Sequence, residues 1–157
     1  MLKILALIAI FTSAIAPAPE LIAKPVPYFD QSTINHFRAP LWQKGPGHRG
    51  LDIVVTEETQ VVAPFDSGVQ FVGKVVDRHV ITLVSSSGLK ASFEPVCSSL
   101  LQGQSVQQGE PVGNYCDPDE SYEKHCVSCI HFSIRNQYGY LNPELFYGNL
   151  KAPGLLG

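Results

Sequence analysis

The sequence predicts an all-β protein of short antiparallel strands. Thirteen glycines and twelve prolines punctuate 157 residues, no window keeps a helical apolar period, and brief apolar–polar alternations recur between turn residues. A chain of this length makes one ordinary domain. With 45% apolar and 16% charged residues it is not intrinsically disordered. The formal net charge of −3 gives no basic excess to grip a phosphate backbone, so no nucleic-acid partner is expected.

The elements follow in order. Residues 1–16 carry Lys3, then an apolar run over residues 4–11, then Thr12, Ser13, Ala14 and Ala16, the order of a secretory signal. The run is far short of the ~20 residues of a membrane span, so no stable span is expected after cleavage. Cleavage is placed after Ala14, because the later alanines precede Pro17 and Pro19. Losing Lys3 takes the net charge to −4. The product is expected outside the cytoplasm, in the cell wall or secreted. Residues 17–27, with Pro17, Pro19, Pro25 and Pro27, read as an extended, poorly packed lead. Residues 28–157 then form the single folded domain.

Within it, residues 51–55 and 59–63 read as strands. Residues 68–76 place Val69, Phe71 and Val75 on one side and stop at an Asp77–Arg78 turn. Residues 79–84 pair back, and a turn at residues 85–88 leads into residues 89–93. Glycine-punctuated residues 103–113 suit a sharp hairpin at a sheet edge. In the last strand Ile130, Phe132 and Ile134 share one face, with Cys129, His131, Ser133 and Arg135 on the other.

The chemistry rests on the five histidines. His48 stands in a glycine-rich loop, Gly45-Pro-Gly-His48-Arg-Gly-Leu-Asp52, that can turn an imidazole and a carboxylate toward one ion. His131, on the polar face of its strand, is the best third ligand. Two imidazoles and one carboxylate, with water completing a tetrahedron, suit catalytic zinc. The other reading makes His48 a turn cap and Asp52 a hydrogen-bonded corner. His36 and His79 read as surface positions with no partner in view.

Four segments, in order, resemble the LytM/lysostaphin-type zinc metallopeptidases, which cleave peptides of bacterial cell walls. They are Gly47-His48-Arg49-Gly50-Leu51-Asp52, residues 61–73, Gly103-x2-Val106-x2-Gly109-x2-Val112-Gly113, and residues 130–135. The resemblance implies a barrel-sandwich-like β core, Zn2+ on His48, Asp52 and His131, and peptidoglycan peptides as partner and substrate. Two departures stand out. The family's His-x-His has Cys129 in place of its first histidine, and Phe93-Glu94-Pro95 replaces a Tyr-x-His segment. Exported relatives with a Glu-Pro-Val segment share this pattern and a His-Cys pair like His125-Cys126. His125 is therefore the expected general base, with Glu94 or the second oxygen of Asp52 as poorer candidates. Without a competent base the chain becomes a degenerate module that binds the wall or regulates another hydrolase. A biotin- or lipoyl-type carrier is weaker still, since no lysine stands at a hairpin tip. Arg49 and Arg135 read first as solvated or structural residues.

Four cysteines outside the cytosol favour disulfides. Three pairings are possible, of which Cys97–Cys116 with Cys126–Cys129 is preferred. The alternative makes Cys129 a fourth ligand in a closed zinc site.

Overall fold

The computed structural model describes residues 22–42, 44–116 and 128–147; the expected signal at residues 1–16 lies outside them. Turn-bounded apolar runs form strands β1 (Thr33–Asn35), β2 (Leu51–Val54), β3 (Gln60–Val62), β4 (Ser67–Val75), β5 (Arg78–Val84) and β6 (Lys90–Glu94). They continue as β7 (Val96–Cys97), β8 (Ser105–Val106), β9 (Pro111–Tyr115), β10 (Cys129–Asn136) and β11 (Gly139–Leu141). One helical turn, α1 (Phe29–Ser32), and a 3-10 turn at Pro143–Tyr147 are the helical elements among the described residues. All pairings between these strands are antiparallel, so the predicted fold class holds.

The large sheet runs β1-β2-β10-β6-β5-β4-β8, with β11 on β10, and a smaller sheet runs β3-β9-β7. The strand alternation decides which face is buried. Ile130, Phe132 and Ile134 are fully buried, joined by Leu51, Ile53, Ile81, Leu83 and Phe93 from neighbouring strands. The Phe93 and Phe132 rings, directly opposite on β6 and β10, stack with centroids 4.8 Å apart. The reverse face of the large sheet carries polar side chains and floors an open cleft.

Three expectations change. In β4 the register shifts between Val69 and Phe71. The bulge turns Val69 into the core and leaves Phe71 and Val75 exposed at the cleft, instead of all three on one face. Residues 103–113 do not fold into one hairpin, because β8 pairs with β4 in the large sheet while β9 pairs with β3 and β7 in the small one. Gly103 and Gly109, both at positive φ, make the bends of this crossing. Finally, the proline-spaced lead is packed from residue 22 onward. Ile22 and Val26 enter the core, and Val62 N–H donates to the Pro25 carbonyl at 2.9 Å. Proline removes donors there yet leaves carbonyls, and β3 uses one.

Cys97 and Cys116 are disulfide-bonded, as preferred, tying β7 to the end of β9. Cys129 is also disulfide-bonded. Cys126, its expected partner, lies outside the described residues. No helix among the described residues is long and apolar enough to cross a membrane.

Candidate metal centre

Strand pairing assembles the site. Asp52 on β2 lies directly opposite His131 on β10, and His131 lies opposite Glu94 on β6. Arg38 and His48 bridge the incoming loop to the segment after β1, which swings the imidazole over the sheet. Asp52 Oδ1 lies 3.1 Å from His48 Nε2 and 2.8 Å from His131 Nδ1. One ligand atom from each of the three residues falls within 4.8 Å of the others. The two imidazoles meet edge to face with centroids 4.9 Å apart.

Outer contacts aim these atoms. His48 Nδ1 lies 2.9 Å from the His36 carbonyl, which can only accept; the proton therefore sits on Nδ1 and leaves the Nε2 lone pair for an ion. Asn35 Nδ2 donates to Asp52 Oδ2 at 2.9 Å, leaving Oδ1 facing the histidines. Burial penalises the Asp52 carboxylate, yet hydrogen bonds from His131 and Asn35 and the histidine charges outweigh it. Its pKa falls from 3.8 to about 2. A buried carboxylate held ionised between two imidazoles suits a divalent cation.

Gly50 makes the close approach possible. A Cβ there would stand 2.3 Å from the Phe132 carbonyl oxygen and 2.6 Å from His131 Nε2. The glycine between His48 and Asp52 thus lets the ligand loop lie against the ligand strand.

The remaining candidates are placed differently. Glu94 lines the same cleft, and its Oε1 accepts from Arg78 Nη2 at 3.2 Å. The second oxygen of Asp52 is the acceptor for Asn35. His125 lies outside the described residues. Cys129, being disulfide-bonded, offers no thiolate, which removes the closed four-ligand alternative. Arg49 Nη2 donates to the Gly45 carbonyl at 2.9 Å, a structural role. Contrary to expectation, exposed His36 has a partner, Glu144 Oε1 at 2.7 Å. Asn35 and the His36 carbonyl escaped the sequence reading, because neither belongs to a spacing motif; Asn35 ends a three-residue strand and His36 follows it.

The family model described as Peptidase family M23 matches residues 46–143. Uncharacterized proteins of Mycobacterium tuberculosis and Mycobacterium bovis are 35% identical over 75 residues, 48% of this chain. The match spans 29% of the length of those relatives. In fold, the chain is similar to the solution structure of lysostaphin (TM-score 0.63, 17% identity), covering 87% of this chain and 59% of that one. It is similar to a zinc-containing peptidase from Vibrio cholerae (TM-score 0.61, 16% identity, 75% and 37% covered). It is also similar to a chain of the SpoIIIAH and SpoIIQ complex (TM-score 0.66, 21% identity, 80% and 99% covered).

Proposed function

The chain belongs to peptidase family M23, and from that premise we propose that it is an exported, zinc-dependent endopeptidase cleaving peptide bonds of bacterial peptidoglycan. Residues 1–16 serve as its export signal in this reading. One observation carries the proposal: His48 Nε2, Asp52 Oδ1 and His131 Nδ1 converge on the floor of a cleft of about 1000 Å³. The donor set fits zinc, with two imidazole nitrogens and one carboxylate oxygen as protein ligands.

Bound there, zinc supplies Lewis acidity that polarises a carbonyl and acidifies water. The protein's own groups do the rest. The His36 carbonyl and Asn35 hold His48 and Asp52 in the orientations that present Nε2 and Oδ1. Phe71 and Val75 give the cleft an apolar wall against which an extended peptide can lie. His125 is proposed to take the proton from the attacking water and deliver it to the leaving amine. Glu94, tied to Arg78, is better suited to orienting a substrate amide as a fixed acceptor.

The test is release of new amino groups from purified walls by the zinc-loaded chain. Release by wild type and none by His131→Ala is expected. Bound zinc with no release from any wall type would overturn the reading. In that event the second reading applies, a non-catalytic module that binds the wall or another hydrolase. It is favoured by the disulfide-bonded Cys129, which cannot act as a base where the family pattern has histidine.

A further inference from the structure

The cleft floor is ordered in rows across the large sheet. At one end stand Asp52, His131 and Glu94, side by side on β2, β10 and β6. The next row on the same face is Ser133, Ser92 and Thr82, and the Thr82 and Ser92 hydroxyls are 2.9 Å apart. Beyond it, Arg135 on β10 lies directly opposite Lys90 on β6. All three rows line the one cleft.

Like charges directly opposite each other in a sheet are destabilising, and a carboxylate between them would relieve the repulsion. Here no acidic side chain among the described residues pairs with Lys90 or Arg135, although both are half-buried. Arg135 Nε is buried without a hydrogen-bond partner. A buried guanidinium N–H left unpaired costs free energy that a bound acceptor would recover. The imbalance extends over the cleft, whose lining holds five Arg and Lys residues against three Asp and Glu, in a chain of net charge −3.

We propose that Lys90 and Arg135 form an anion subsite that receives a carboxylate of the peptide substrate. Arg135 lies four residue steps along β10 from His131, about 13 Å at strand rise. An extended peptide over the metal centre would therefore place a carboxylate there about four residues from the scissile bond. The hydroxyl row between offers small donors to its backbone carbonyls, without bulk to block it. The register of this subsite, though not the anion contact itself, rests on the peptidase reading, since a cleaved peptide fixes its metal end.

The test uses the zinc-loaded full chain and a backbone N-methylated, uncleavable pentapeptide ending in a carboxylate, against its C-terminal amide. Titration calorimetry is expected to give about 10-fold tighter binding of the carboxylate form, as a charge-assisted contact implies. The preference should vanish in Arg135→Gln and Lys90→Gln, persist in part in Arg135→Lys, and leave zinc content unchanged throughout. Equal binding of the two peptides by wild type, or a preference that survives both glutamine variants, would overturn the subsite. A wild type that prefers the carboxylate but releases no amino groups from walls would overturn the peptidase reading and leave the subsite standing.

Discussion

Gly50→Ala gives the sharpest test of how loop and strand build the centre. The added Cβ would sit 2.3 Å from the Phe132 carbonyl oxygen, 2.6 Å from His131 Nε2 and 2.7 Å from His131 Cε1. Restoring ordinary contact of about 3.4 Å requires a separation of roughly 1 Å, taken up by β10 or by the imidazole. Overpacking of this kind costs about 1–3 kcal/mol of stability. A ligand nitrogen moved off its position should also weaken zinc binding about 10–100-fold, the range found when ligand orientation is lost. Gly113→Ala is the control: its Cβ would stand 2.4 Å from the Cys97 carbonyl oxygen, in the small sheet. Chelator competition and thermal melting should show Gly113→Ala losing stability alone, and Gly50→Ala losing both stability and zinc affinity. Wild-type zinc affinity in Gly50→Ala would show that the close approach of the loop to β10 does not set the ligand positions.

Other perturbations have defined outcomes. Asn35→Ala removes the donor to Asp52 Oδ2 and should lower zinc affinity about 10-fold by competition titration, while the unpaired carboxylate oxygen costs about 1–3 kcal/mol of stability. The Asp52 pKa of about 2 lies below its ordinary 3.8, so the metal-free protein gains stability above pH ~4 and loses it as pH falls through about 2. The contribution is about 2 kcal/mol, and urea unfolding between pH 2 and 6 should show a shallower acid limb in Asp52→Asn. Breaking Cys97–Cys116, which joins residues 19 apart, should cost about 3 kcal/mol on the chain-entropy account. Unfolding of the Cys97→Ala, Cys116→Ala double variant would measure it, with zinc affinity retained.

Much of this was legible in the sequence, for identifiable reasons. The alternation in residues 129–135 sets which face of β10 is buried, because side chains point to opposite faces at period two; His131 therefore had to stand on the polar side. His48 and Asp52 were legible as a pair because Gly47 and Gly50 flag a backbone pressed against its neighbours. The swap of Phe71 to the cleft was not, since one extra residue at a bulge reverses every side chain beyond it and leaves no compositional trace. The crossing of residues 103–113 between sheets was hidden similarly: glycine marks a bend but not the strand that receives the chain afterwards. Asn35 and the Lys90–Arg135 pair depend on cross-strand register, which a single sequence does not encode locally.

The proposed centre holds one zinc ion on His48, Asp52 and His131 through nitrogen and oxygen alone, leaving a position for water. X-ray absorption at the zinc edge of the loaded protein tests it directly. The expected result is one zinc per chain, two imidazoles, and nitrogen and oxygen scatterers at about 2.0–2.2 Å. A sulfur shell at about 2.3 Å, or no stoichiometric zinc, would contradict it.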